Sequence, residues 1–247
     1  AESGSVAIGG QQVFDNPQIK GEIVFIPDEI FFFSQYSVRD MADFYSSFYP
    51  NWSWDRFNKL QSVFPIDIKK RAIRLSKGMQ KQLAFWLGIC AQAKIMILDE
   101  PVDGLDPVMR KKVWNLVLQD VAELGTTVLV SSHNLRELED VCDHVGILHH
   151  GKMILERELD NIKSDIHKLQ LAYSGEATKN VLENKSILHK SVNGSVIQLI
   201  VRGDKEDIFS RLNETNPIVL DILPLSLEEI FIYELGGQGY EIENIFI

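Results

Sequence analysis

Four consecutive apolar residues, Ile95-Met96-Ile97-Leu98, run directly into two carboxylates, Asp99 and Glu100, and then a proline, Pro101. A short apolar run bounded by turn residues predicts a strand covered on both faces, as in a parallel sheet. Pro101 cannot continue it, and a third acid, Asp106, closes the following loop just before Pro107. Open α/β sheets carry their ligands at the carboxyl ends of the strands. This stretch therefore asks for parallel strands joined by crossover helices, with chemistry at the edge where the acids stand.

The rest of the chain repeats that grammar. Ile23-Val24-Phe25-Ile26 reads as another buried strand, and Asp28 and Glu29 leave its end as Asp99 and Glu100 leave theirs. Between about residues 37 and 91 the pattern turns helical. Pro50-Asn51 breaks one helix and Ser53 caps the next, and the aromatics from Phe48 to Phe57 read as the core of a small helical subdomain. Leu75-Ser76-Lys77-Gly78-Met79 opens a helix whose apolar stripe is Met79, Leu83, Trp86, Leu87, Cys90 and Ala91. Ser76 is a good N-cap, Gly78 permits close backbone approach, and free amides at a helix start attract anions.

A helix is expected over Val108 to Leu124, stopped by Gly125, then a buried strand over Thr126 to Ser131 with Ser132, His133 and Asn134 at its end. Asn134 with Glu137 resembles a capping box for the next helix. Val145–Leu148 and Met153–Leu155 read as a hairpin around His149-His150-Gly151-Lys152. Gly146 to Lys152 fits the phosphate-loop spacing G-x-x-x-x-G-K, but Met153 stands where a Ser or Thr is needed and a strand follows instead of a helix. His144, His149 and His150 lack the further ligands of a metal site and read as a solvated turn. Strands alternating with helices make this a mostly parallel α/β sheet. Beyond about Asp160 the order of strands and helices, including a weak helix around Ala177 to Leu182, approximates β-α-β-β-α-β, a small split α+β domain without a catalytic constellation.

Composition narrows the partners. A formal net charge of −10 argues against nucleic acid. The two cysteines, Cys90 and Cys142, sit among apolar neighbours and suit a reduced cytosolic protein. No apolar run reaches the roughly 18 residues that cross a bilayer, so a membrane role goes through a partner.

In order and spacing, over roughly residues 1 to 160, these pieces resemble the ATP-binding subunit of ABC transporters. Leu75 to Met79 stands where that family has its Leu-Ser-Gly-Gly-Gln signature, Ile95 to Glu100 matches the Walker B strand, Gly104-Leu105-Asp106 the D-loop and His133 the switch histidine. The Ser-x-Gly-Met signature, the Trp-rich helical insert and the tail domain are most similar to bacterial exporters of drug, lipid or peptide-antibiotic type. The resemblance implies a P-loop NTPase-like nucleotide-binding domain over 1–160, with its helical subdomain at about 37–91, and a ferredoxin-like α+β accessory domain over 165–247. It implies ATP and Mg²⁺, with Asp99 holding the metal, Glu100 orienting the attacking water and His133 contacting the γ-phosphate. Ser76 and Gly78 would meet the nucleotide of a second ATP-binding subunit in a head-to-tail dimer, with Asp106 at the dimer contact. A transmembrane permease would hold the dimer at the cytoplasmic face of the cell membrane.

Three departures stand out. Asp28 occupies the position of the family's Q-loop glutamine, so an anion replaces the usual coupling contact. Lys77 and Met79 replace a glycine and the glutamine of the signature. No P-loop is present; in relatives it precedes the segment matching Ala1, so residues 1–247 alone are expected to bind Mg-ATP poorly and to be inactive. The alternative is a non-hydrolysing regulatory or interaction module, against which Asp99, Glu100 and His133 together argue.

Overall fold

The computed structural model describes residues 3–173 and 186–236, and the chain divides into two compact units, Ala1–His133 and Asn134–Ile247. In the first, a two-residue ladder of β1 (Ala7–Ile8) and β2 (Gln11–Gln12) leads through a short helix, α1 (Pro17–Lys20), to β3 (Ile23–Ile26). Helices α2 (Val38–Phe48), α3 (Trp54–Leu60) and α4 (Lys77–Cys90) follow, then β4 (Ile95–Asp99), α5 (Pro107–Leu124) and β5 (Thr127–Ser131). Strands β3, β4 and β5 lie side by side in that order, all parallel. Ile26 pairs with Leu98 and Asp99 with Ser131, so the ends carrying Asp28, Asp99, Glu100 and His133 share one edge of the sheet.

Local sequence explains the helix limits. Ser37 and Asp40 form a reciprocal capping box on α2, and Ser53 and Ser76 cap α3 and α4 with their hydroxyls, as their positions predict. Asp106 caps α5, Pro107 fills its first turn, and Gly125, left-handed at φ 67°, ends it. Helix α4 is the spine: Leu83, Phe85, Trp86, Leu87, Ile89 and Cys90 have no exposed surface. Gly88 lets it approach the sheet, since a β-carbon there would stand 3.1 Å from both Val24 and Ile26. Trp86 stacks on Phe57 with ring centres 4.4 Å apart and donates its indole N–H to the Phe57 carbonyl at 3.0 Å. Buried Asp120 of α5 pairs with Arg56 of α3, tying the helical insert to the sheet's crossover helix.

The sheet departs from the sequence reading on one face. Val24, Ile26, Met96 and Leu98 are buried, but the opposite face carries the in-register row Phe25, Ile97, Leu129, of which Phe25 and Leu129 are more than half exposed. This face is thus open at Phe25 of β3 and Leu129 of β5, while Ile97 of β4 between them is half-buried. The aromatic stretch also divides. Phe57 enters the core, whereas Phe48 stays exposed on the helical surface.

In the second unit, α6 (Leu135–Val141) precedes a hairpin of β6 (His144–His149) and β7 (Lys152–Glu158), with His150 and Gly151 left-handed at its turn. The segment with phosphate-loop spacing is therefore this hairpin, and Gly146 lies in a strand against Met153. The expected capping box at Asn134 does not form: its side-chain amide donates to the Glu137 carboxylate and leaves the helix start without a side-chain cap. After α7 (Leu159–Asp165) come β8 (Ile166–Ala172), β9 (Ile187–Asn193), β10 (Val196–Arg202), α8 (Lys205–Asn213), β11 (Val219–Leu223) and α9 (Leu227–Gly236). The four strands form an antiparallel sheet in the order β11-β8-β10-β9. This is the strand order of a split β-α-β-β-α-β unit. The helix expected around Ala177 to Leu182 lies outside the described residues.

Candidate functional site

The parallel register brings Asp99, Glu100 and His133 to the same sheet edge, with Glu100 and His133 in contact. Asp99 is the last residue of the strand, and its carboxylate accepts a hydrogen bond from the Ser131 hydroxyl at 2.5 Å. Glu100 follows with φ +41°, a left-handed backbone that non-glycine residues seldom adopt. The two carboxylates have different partners. The Glu100 amide donates to the Ser131 carbonyl at 3.1 Å. Its carboxylate faces His133: Oε1 accepts from the His133 backbone amide at 3.1 Å, and Oε2 lies 2.9 Å from Nδ1 of the same residue. The Glu100 side chain is three-quarters covered, while that of His133 is largely open to solvent.

Asp103, which sequence reasoning passed over, joins this pair. One ligand atom each from Glu100, Asp103 and His133 lie within 4.8 Å of one another, and Asp99 lies outside that grouping. Carboxylate oxygens dominate the edge, a donor set suited to a hard divalent cation. Ser131 and Asp103 had no signal of their own in the sequence, because each reads as an ordinary strand-end or turn residue.

A neighbouring helix start completes the edge. Ser76 caps α4 by accepting from the Met79 amide at 3.3 Å. Gly78 sits so near the loop after β4 that a β-carbon there would meet the Gly104 carbonyl at 3.2 Å. Gly104 itself is left-handed at φ 77°. Asp106 uses one carboxylate oxygen to accept from the amides of Val108 and Met109, both at 3.0 Å. Its local task is thus to start α5.

One residue the sequence gave no cause to choose is Lys81. It lies on α4 and is only 5% exposed. Its ammonium donates to the Glu100 carbonyl at 2.7 Å and to the Asp28 carboxylate at 3.2 Å. Asp28, which the resemblance places at the Q-loop glutamine position as a nucleotide-binding candidate, is ion-paired with Lys81.

A parallel sheet with Asp-Glu at a strand end, a facing histidine and a Ser-x-Gly helix start beside it defines a nucleotide-handling α/β domain. The comparisons say which. The ABC transporter family profile matches residues 1–103. The ABC transporter ATP-binding protein YtrB of Bacillus subtilis (strain 168) is 31% identical over 238 residues, covering 96% of this chain and 81% of that protein. The bacitracin transport ATP-binding protein BcrA of Bacillus licheniformis is 30% identical over 180 residues, 69% of this chain and 58% of that one. Among solved structures, an ATP-binding subunit of an ABC transporter superposes with a TM-score of 0.59 at 22% identity, covering 65% of this chain and 69% of its own, which establishes the fold. The chain belongs to the family of ABC transporter ATP-binding subunits. That family is one of ATP-binding proteins, generally ATPases, that work with transmembrane permeases. Among the described residues no helix is long and apolar enough to cross a membrane.

Proposed function

We propose that this subunit hydrolyses ATP to drive export of a drug, lipid or peptide antibiotic through a permease, at the cytoplasmic face of the cell membrane. Glu100 is the residue that acts on water. Its carboxylate is held at the strand end by the His133 amide, with Oε2 beside the imidazole, so it is fixed in direction and positioned to accept a proton from a water. His133 faces the same space and contacts the γ-phosphate of bound ATP. Asp99, with Ser131 fixing one oxygen, would hold Mg²⁺ directly or through water, while Asp103 groups with Glu100 and His133. When bound, Mg²⁺ supplies charge neutralisation for the phosphates. Phosphoryl transfer to water is mostly positioning and electrostatics, and these residues contribute both.

Ser76 and Gly78 present the start of α4 to a nucleotide held by a second ATP-binding subunit in a head-to-tail dimer, and Asp106 shapes the loop at that contact. Asp28 faces the same edge from β3. On the family's chain order, residues 1–160 form the nucleotide-binding domain and 165–247 the accessory domain, although α6 and the β6–β7 hairpin pack with the second unit. Residues 1–247 contain no Gly-rich loop ending in Lys-Ser/Thr, so by themselves they bind Mg-ATP weakly and turn it over poorly.

The observation that carries this reading is the left-handed Glu100, whose carboxylate is fixed against His133. The test compares ATP turnover of the gene-encoded subunit, purified with its permease, between wild type and Glu100→Gln. Loss of about a hundredfold or more is expected, within the usual contribution of a general base; turnover within threefold of wild type removes Glu100 from this role. Titrating residues 1–247 with a fluorescent ATP analogue tests the second point, and micromolar affinity would sink it.

A further inference from the structure

Lys81 and Asp120 are the two buried charges among the described residues of the first unit. Lysine is almost never buried without a partner, yet this one is 5% exposed. It lies on the second turn of α4, and long helical side chains lean toward the helix N-terminus. Its ammonium thus ends near the positive pole of that helix, which disfavours a cation. Solvent and helix dipole both count against it. Only specific partners keep it there, and the two it has are the Asp28 carboxylate and the Glu100 carbonyl.

Each of those partners has its own requirement. Glu100 needs help because its backbone is left-handed. A peptide in that region persists only when its surroundings over-determine it. The Ser131 carbonyl holds the amide side of Glu100, and Lys81, with the Asp103 amide at 3.4 Å, holds the carbonyl side. Asp28 follows β3 two residues beyond its end, on the loop where the family carries a neutral glutamine. The need is one-sided: the Asp28 side chain is 55% exposed and solvated in its own right, whereas the buried ammonium of Lys81 gains from a carboxylate more than from glutamine's weaker dipole.

We propose that Lys81 is a positioning residue for Glu100, with Asp28 as its counter-ion, so that one ammonium couples the loop after β3 to the turn that aims the water-orienting carboxylate. The inference rests on the reading of Glu100 given above. It assigns Asp28 to support of the reacting group. Displacement of the β3 loop pulls on Lys81 and through it on the Glu100 peptide, so the loop's position is transmitted to turnover without contact to ATP.

The test uses the gene-encoded subunit with its permease and four variants: Lys81→Met, Lys81→Arg, Asp28→Asn, and Lys81→Met with Asp28→Asn. Lys81→Met should lower kcat about tenfold or more, the scale of a lost charge-assisted hydrogen bond, with KM for ATP within about twofold of wild type. Lys81→Arg should recover most of the rate. Asp28→Asn should lower kcat by about threefold or more, and the double variant should match Lys81→Met alone, because Asp28 acts only through Lys81. Wild-type kcat in Lys81→Met overturns the proposal, as does a loss confined to KM, failure of arginine to rescue, or multiplicative losses in the double variant. Circular dichroism checks folding; if Lys81→Met does not fold, Asp28→Asn and Lys81→Arg decide, and a wild-type rate in Asp28→Asn overturns it. Glu100→Gln separates the two levels. If that variant is inactive while Lys81→Met is not impaired, only the positioning role fails; if Glu100→Gln remains active, the reading of Glu100 fails first.

Discussion

Removing Arg56 alone should damage this protein far more than removing Arg56 and Asp120 together. The Asp120 side chain is 4% exposed and Arg56 is its counter-ion across the α3–α5 contact. Burial is the largest influence on Asp120 and pushes its carboxyl above the usual range, against the pull of Arg56. In Arg56→Met that carboxylate is stranded, and a buried ion deprived of its partner costs about 3–5 kcal/mol. Against a domain stability of about 5–15 kcal/mol, this is a large fraction. With a urea slope of about 2 kcal/mol/M, the midpoint should fall by about 2 M. In Arg56→Met/Asp120→Ala the stranded charge is gone, and stability should return to within about 1–2 kcal/mol of wild type. Urea unfolding followed by tryptophan fluorescence reads this directly, since Trp86 is fully buried and stacks on Phe57, the residue after Arg56.

Acidity supplies a second arm with a definite sign. A carboxyl whose folded pKa lies above its unfolded value contributes stability at pH below the unfolded value, lost as pH rises through the folded one. Removing Arg56 raises the folded value further. The deficit of Arg56→Met should therefore be greatest near neutrality and shrink as pH falls toward about 4, the ordinary carboxylate value. A double variant as unstable as the single one, or a deficit that grows on acidification, refutes the reasoning.

Two other outcomes follow from the packing. Gly88→Val should destabilise by about 1–3 kcal/mol, because even its β-carbon would stand 3.1 Å from Val24 and Ile26, which must give way; a neutral thermal midpoint would contradict that closeness. Burial pushes the Cys90 thiol up to about 12 and the Cys142 thiol up to about 11, so both stay protonated at pH 8 and should resist a thiol-reactive dye until urea is added. Rapid labelling of Cys90 in the native protein would show that α4 is not the closed spine described.

Much of this was legible in the sequence because the relevant signals are local. Ser53, Ser76 and Gly125 announce helix limits through chemistry confined to a single turn, and the apolar runs at Ile23 and Ile95 announce strands whose acids land on one edge. What escaped depends on partners distant in the chain. Lys81 looks like any polar helix residue until Asp28 and Glu100 are folded onto it from 53 and 19 residues away. Asp103 looks like a turn acid until Glu100 reverses the backbone beside it. Asn134 shows the opposite failure: a correct local pattern was overridden when its amide found the Glu137 carboxylate instead. Coverage of the sheet's second face is not written in the apolar runs themselves, which read the same whether one face or both are covered.

The left-handed turn at Glu100 has a consequence for anyone who engineers this protein. Glycine would adopt that backbone without strain, and asparagine more easily than glutamate does. A search for stabilised variants will therefore be drawn to position 100, and its winners there will lack the carboxylate. On the role proposed for Glu100, selection for thermal tolerance and selection for turnover would pull this position in opposite directions.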